Sequence, residues 1–449
     1  MIELTKEYIE NLRHIIEQKE DEKAKELIRD LHPADIAELY QELNLQEGIY
    51  LYLLMDDEQA ADVLVELDDE DRRKLLKELP GEQIAKRFVD NMDTDDAVEL
   101  IRELDEDTQE EVLSHLEDVE QAGDIVDLLK YDEDTAGGLM GTEMIVVNEN
   151  WSMPQCIDEM RRQAEEMDEI YYVYVVDDDE RLKGVLPLKR MITNPSVSKI
   201  KHVMKKDPIS VHEDDSIEEV AQVIEKYDLV ALPVVDSIGR LAGRITIDDV
   251  MEEVREQHER DYQLASGISQ DVETSDNVFQ QTAARLPWLL IGMIGGLGNS
   301  FILSGYETGF AANPKMALFI PLIGGTGGNV GIQSSAIVVQ GLANNTLKAG
   351  DILSQVLKEL VVSIINASMI SLIVFLYNYF TLGDRGITAS VSLSLFAVVM
   401  FASIFGTLVP MTLNKLKIDP ALATGPFITI TNDIIGMMIY MFIASTLIR

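Results

Sequence analysis

Apolar positions follow three rhythms along this chain, and the rhythm changes twice. Through residues 1–130 they recur at spacings of three and four inside short segments: LHPADIAELYQEL, MDDEQAADVLVEL, LDDEDRRKLLKEL, LPGEQIAKRFVDNM and MDTDDAVELIREL. Each segment opens with Asp or Pro where a helix N-cap or first turn falls, and each runs about ten residues. The pattern predicts short amphipathic helices, none able to bury its apolar face alone. They are expected to stack as an all-α superhelix of helical repeats.

From residue 131 the pattern turns to β-rich runs closed by turns. YYVYVVDDDERLKGVLPLKRM is echoed by LVALPVVDSIGRLAGRITIDDVMEEV. Val175, Val176 and Asp177 align with Val234, Val235 and Asp236, and Leu182 and Gly184 with Leu241 and Gly243, each 59 positions apart. This internal repeat predicts two copies of one α/β unit, at residues 131–200 and 201–255. A polar helical stretch and a Ser/Gly/Asn-containing linker follow at 250–284. The last sector, 285–449, holds five apolar segments: Leu286 to Tyr306, Lys315 to Leu342, Val356 to Phe380, Val391 to Leu413, and Ala421 to Ile448. Each meets the roughly 20-residue length of a spanning helix. The fold class is therefore multidomain: helical repeats, a tandem α/β pair, a connecting helix and a five-helix membrane domain.

Charge divides along the same line. The chain carries a formal net charge of −43. From Leu286 onward there are six acids and seven bases, so residues 1–285 hold −44. Such a balance argues against nucleic acid, which needs Lys and Arg to displace counterions, and against docking on anionic lipid. It fits divalent cations or basic partners; most individual acids are solvated surface. The N-terminal MIELTKEYIE has neither a basic nor an apolar leader region and predicts no signal peptide, leaving the soluble half in the cytoplasm. Five spans then place Arg285, Lys348, Lys358, Lys415 and Lys417 inside, against Lys315, Arg385 and Arg449 outside, in keeping with the positive-inside bias. The single cysteine, Cys156, permits no intrachain disulfide and reads as a small buried hydrophobe.

Two features of the apolar sector bear chemistry. Asp433 reads as the only acid well inside a span, and no Lys or Arg in any span neutralises it. A charge at that depth costs about 2.5–3.5 kcal/mol on insertion scales, so Asp433 must face a hydrated path, bind a cation or carry a proton. Asn432 beside it and Thr429 one turn before it add oxygen. The second feature is PLIGGTGGNVGIQSS, in which Gly324, Gly325, Gly327, Gly328 and Gly331 allow close helix approach and Asn329, Gln333, Ser334 and Ser335 are neutral ligands. Packing and lining of a water-filled path are both compatible with it. The six histidines and Cys156 lie outside the spans, which removes the ligands expected of a copper or zinc path. One carboxylate among amides and hydroxyls suits a hard, largely hydrated cation such as Mg²⁺. Two such carboxylates facing one ion require a dimer.

The repeat, with PVVD, a Gly-x-Leu-x-Gly-x-Ile-Thr turn and a DDV ending in its second copy, resembles tandem cystathionine-β-synthase (CBS) domains, regulatory modules that often bind adenine nucleotides. PLIGGTGGNVGIQSS, DPALATGPFITITNDIIGMMIY and the order of domains resemble the MgtE family of magnesium channels over essentially the whole chain. The resemblance implies a homodimer in the cytoplasmic membrane with its pore between the second and fifth spans. Asp433 would face hydrated Mg²⁺, and Asn329 matches the asparagine of the pore motif. It further implies regulatory Mg²⁺ between the cytosolic domains, closing the pore through a plug helix. Candidate ligands are Asp62, Asp95 and Asp96 in the helical domain; Asp214, Glu218, Asp228, Asp249, Glu252 and Glu253 in the second repeat; Glu256, Glu259 and Asp261 on the plug helix; and Asp419 before the fifth span. ATP at the CBS pair is the implied nucleotide, although Asp248 and Asp249 read better as helix caps than as ribose ligands. Two other functions fit the residues: a H⁺- or Na⁺-coupled divalent-cation carrier, and a membrane-anchored nucleotide sensor without transport. No nucleophile–base grouping or Walker-type phosphate loop points to an enzyme.

Overall fold

The computed structural model describes residues 5–164, 167, 170–194, 198–270, 272, 277–343, 346–347, 352–381, 383–423 and 425–447. Parts of the predicted linker, residues 271 and 273–276, lie outside this set. The chain divides into two compact units, Met1–Arg255 and Glu256–Arg449.

The first unit opens with ten α-helices of 7 to 12 residues, from Lys6–Glu17 to Val119–Leu128. Local chemistry sets their starts. Asp56, Asp68, Asp105 and Asp118 each accept a backbone N–H of the helix that follows, and Asn44 and Glu47 form a reciprocal capping box. Three helices depart from this rule: those starting at Asp21 and Gly81, whose N-caps Glu20 and Pro80 make no side-chain cap bond, and one preceded by an aspartate. Asp93 stands at the N-cap of α1 (Thr94–Arg102) yet makes no cap hydrogen bond. The stacked helices bury Leu12, Leu39, Leu64, Ile84 and Ile101, and Tyr40, Tyr52 and Phe88 meet edge to face at centroid distances of 5.3 and 5.7 Å.

The repeat forms two small sheets. β1 (Ile145–Asn148), β2 (Val173–Val176), β3 (Leu182–Leu186) and β4 (Lys205–Lys206) lie in that order, with β1 and β2 parallel and the other pairs antiparallel. β5 (Val211–His212), β6 (Ala231–Val235) and β7 (Leu241–Thr246) form the second sheet with the same parallel-then-antiparallel pattern. Asp177 and Asp236, matched in sequence, do the same work: each accepts two backbone N–H groups of its own β-turn at 2.8 to 3.0 Å. The two turns also hold each other, Leu182 N–H donating to Gly239 O at 3.0 Å and Leu241 N–H to Glu180 O at 3.1 Å. Cys156 is fully buried in the core of the first repeat. The second repeat has no separate core: Val211, Val220 and Ile245 join the apolar cluster of the helical domain. That shared core brings acids of α1 against acids that follow β7. α2 (Ile247–Ala265) leaves β7 directly, started by Asp249, whose Oδ2 accepts the Thr246 N–H at 3.0 Å and the Thr246 hydroxyl.

Among its described residues the second unit contains five long helices: α3 (Val278–Ser304), α4 (Ile320–Ala343), α5 (Ile352–Thr381), α6 (Arg385–Lys415) and α7 (Gly425–Leu447). Among the described residues, α3, α5, α6 and α7 are long and apolar enough to cross a membrane. α4 has the length, 24 residues, but its glycines, Asn329, Gln333, Ser334 and Ser335 dilute its hydropathy. α3, α5 and α6 start upstream of the predicted apolar segments, by eight, four and six residues, because backbone hydrogen bonding continues past the point where side chains turn polar; α4 and α7 start five and four residues downstream of theirs, after short 3-10 turns. α6 is the enclosed centre, packed by α4, α5 and α7. Only 6 % and 11 % of the apolar windows of α3 and α5 are buried, so these helices leave broad apolar faces exposed.

Candidate metal sites

The glycine stripe of α4 packs against α6 and α7. A Cβ on Gly331 would stand 2.0 Å from Asn432 Nδ2, and one on Gly406 of α6 would stand 2.4 Å from Gly331 O. A Cβ at Gly331 would force the Asn432 side chain aside, and one at Gly406 would force the α4 and α6 backbones apart. Asp433, the ninth residue of α7, lies on the face toward Gly324 and Gly328: its Oδ1 is 3.3 Å from where a Cβ on Gly324 would be, and 3.8 Å for Gly328. The carboxylate is half-buried and has no Lys or Arg partner among the described residues. Thr429, one turn earlier, touches Gly328 and donates its hydroxyl to Gly425 O at 2.9 Å, which leaves its lone pairs free to accept or ligate. Asn432 points elsewhere. It is 1 % exposed against Gly331, and neither amide atom has a hydrogen-bond partner. Asn329 lies on an exposed face of α4 that also carries Gly325 and Gln333.

A second grouping lies in the first unit, where α1 meets β7 and the start of α2. The carboxylates of Asp93, Asp95 and Glu143 offer oxygens all within 4.8 Å of one another. Freed from capping, Asp93 instead accepts from Arg244 Nη2 at 3.0 Å. Glu143, 49 residues along the chain, takes over the cap: its Oε1 accepts the Thr94 N–H and its Oε2 the Thr94 hydroxyl, both at 3.0 Å. Burial pushes the Asp95 carboxyl well above the usual range, with the charge of Asp249 next in effect. Asp96 is pushed up to about 8 by the same two causes. Burial likewise raises Asp249, Glu143 and Glu252, the last also feeling Glu99. Four carboxylates (Asp93, Asp95, Glu143 and Asp249) thus crowd around one guanidinium, with Asp96 beside Asp249, a site that a divalent cation would relieve.

The remaining acids divide. Asp261 on α2 is raised by burial and then by Asp419, so these two face one another; Asp419 also accepts the Ala421 N–H at 2.7 Å. Glu252 pairs with Arg255 at 3.4 Å and Glu256 with Arg260 at 3.1 Å. Glu259 is exposed and Glu253 half-buried on α2. Asp62, Asp214, Glu218 and Asp228 are exposed and enter none of these groupings. Sequence reasoning missed Asp93 and Glu143. The available signal for Asp93 was its position at a helix start, which reads as a cap. It also overlooked Glu359: with α5 starting at Ile352, this acid lies two turns inside the helix, so Asp433 does not stand alone.

Comparison with known proteins agrees with this anatomy. The MgtE family pattern, described as a divalent cation transporter, matches residues 320–443; the MgtE intracellular N domain matches 31–134; and CBS domains match 136–195 and 200–256. The chain is 35 % identical to the magnesium transporter MgtE of Enterococcus faecalis over 74 % of its length and 73 % of the relative's. For the protein of the same name from Thermus thermophilus the identity is 33 %, over 72 % of each chain. The crystal structure of the soluble part of a magnesium transporter superposes with a TM-score of 0.51 at 32 % identity, covering 56 % of this chain and 98 % of that one. The cytosolic domain of the Mg²⁺ channel MgtE in complex with ATP gives a TM-score of 0.51 at 31 % identity, covering 55 % and 99 %. By its domain order, its glycine-lined membrane acid and these matches, the chain belongs to the MgtE family of magnesium transporters.

Proposed function

We propose that this protein is a Mg²⁺-selective channel of the cytoplasmic membrane, working as a homodimer and closed by Mg²⁺ bound to its acidic cytosolic domains. The observation that carries the reading is the placement of Asp433. It is an unneutralised carboxylate in a spanning helix, set against glycines that leave room beside it. Two copies about a dimer axis would face one hydrated ion, which Mg²⁺ favours because it gives up its waters reluctantly. α4 then serves as the fifth span, its exposed Asn329 face lining the path rather than meeting lipid. Thr429 adds oxygen from one turn away, and Asn432 supports the wall.

On the cytosolic side, Asp95, Asp96 and Asp249, with Asp93 and Glu143, form the regulatory site best supported by geometry; Glu252 is its near neighbour. Mg²⁺ there would offset the burial and mutual repulsion that raise Asp95, Asp96, Asp249 and Glu143, and would stabilise the compact arrangement by its preference for it. α2 serves as the plug helix, with Asp261 and Asp419 as a second, weaker site. The CBS pair holds ATP, by analogy with the similar ATP-bound cytosolic domain. Mg²⁺ flux into proteoliposomes tests the pore. Asp433→Asn and Asp433→Ala should both lose most of it, and undiminished flux in both would overturn the assignment. Flux that required a pH or Na⁺ gradient would replace the channel with a coupled carrier.

A further inference from the structure

Glu359 lies roughly 11 Å along α5 from its cytoplasmic start. Its Oε1 accepts the Ser334 hydroxyl of α4 at 2.8 Å and the Ser403 hydroxyl of α6. Those two hydroxyls are themselves 3.1 Å apart. Three helices therefore meet at three oxygens. Ser334 is 6 % and Ser403 2 % exposed. One turn further along α6, Thr407 is fully buried and its hydroxyl has no partner among the described residues, although buried hydroxyls are nearly always satisfied.

The group lacks one positive charge by two separate arguments. The first is electrostatic. α4 carries no charged residue, the charges of α6 stand only at its ends, Arg385 and Lys415, and Lys358 beside Glu359 is exposed and makes no ion pair with it. A carboxylate at this depth needs a counter-charge. The second is hydrogen-bond accounting. The triangle has three edges, but its two hydroxyls supply two protons, so one edge sets lone pair against lone pair. A proton would fill that edge and still leave Thr407 without a partner. A metal ion would meet the oxygens of Glu359, Ser334 and Ser403 directly and would recruit Thr407 from the same face of α6, one turn away. A divalent ion would overshoot the single negative charge, whereas a monovalent ion cancels it. The oxygen donors suit a small hard ion.

We propose that Glu359, Ser334, Ser403 and Thr407 form an intramembrane site for one small monovalent metal cation of the Na⁺ class, separate from Asp433. Ser334 lies six residues past Gly328 on α4, roughly 9 Å along the axis. Occupancy ties the glycine-rich α4 to α5 and α6. The experiment measures thermal unfolding of the full-length protein in detergent as NaCl replaces choline chloride at constant ionic strength, alongside equilibrium binding of radioactive Na⁺. Wild type should show a saturable rise in Tm and bind one Na⁺ per chain. Glu359→Gln and Ser403→Ala should lose both, and Asp433→Asn should keep both. The Ser403→Ala variant guards against a Glu359→Gln protein that does not fold. The proposal is overturned if Na⁺ does no more than choline, or if the Na⁺ response survives in both site variants. It is also overturned if acidification in choline alone gives the full stabilisation, since the group would then hold a proton.

Discussion

Gly406 offers the most direct test of how tightly the membrane helices are built. A methyl group there would sit 2.4 Å from the Gly331 carbonyl oxygen, about 1 Å inside ordinary van der Waals contact. The obstacle is backbone, so no side chain can turn aside, and α4 and α6 must separate. Overpacking of this kind costs about 1–3 kcal/mol. The unit Glu256–Arg449 has 194 residues, and for that size each kcal/mol moves Tm by about 2–4 °C. Gly406→Ala should therefore lower the Tm of the membrane unit by about 2–12 °C. Gly296→Ala on α3, where a Cβ meets nothing within 4 Å, is the control and should leave it unchanged. Differential scanning of both variants beside wild type decides the matter. If Gly406→Ala unfolds at the same temperature as Gly296→Ala, the close crossing of α4 and α6 is wrong.

Two further outcomes follow from the cytosolic unit. In chelator, its stability should fall as pH rises from the usual carboxylate range, near about 4, through about 8, where Asp96 titrates. The sign is that of acids whose folded pKa is raised: the folded state holds protons that the unfolded chain releases, so their contribution is lost as pH climbs. Saturating Mg²⁺ should flatten this slope, and equal slopes with and without Mg²⁺ would remove the cluster as the sensor. Separately, Arg72 is 7 % exposed and donates to Glu99 at 2.7 Å and to the largely buried Glu103. Arg72→Ala should cost about 1–3 kcal/mol by removing the nearer of the two arginines on Glu103, Arg73 Nε remaining at 3.8 Å, read by chemical denaturation. A loss under about 1 kcal/mol would mean that the pair behaves as a surface bridge.

The sequence made the repeat legible down to single residues. Asp177 and Asp236 stand 59 positions apart and fold the same turn, because a turn's chemistry is local. Asp433 was legible for the complementary reason: a lone acid in an apolar run needs no neighbour to look anomalous. What stayed hidden depends on distance along the chain. Asp93 reads as a cap like Asp56 and Asp68, and only the fold reveals that Glu143 has displaced it. Glu359 reads as an acid near a span edge until Ser334 and Ser403 arrive from two other helices. Asn432 and Asp433 look like one ligand pair by adjacency, yet helical geometry turns them toward different neighbours.

Arg244 gives the acid cluster a built-in baseline. Its guanidinium binds Asp93 at 3.0 Å and the Glu143 carbonyl while belonging to β7, so part of the neutralisation is covalently supplied and never dissociates. In the proposed sensor, an acid cluster without such a resident cation would hold Mg²⁺ more tightly. With one charge already answered, the cluster has a smaller residual appetite, and its midpoint moves up toward concentrations that rise and fall. In the proposed sensor, this fixed arginine is the trimming weight of the balance, lowering the cluster's hold on Mg²⁺.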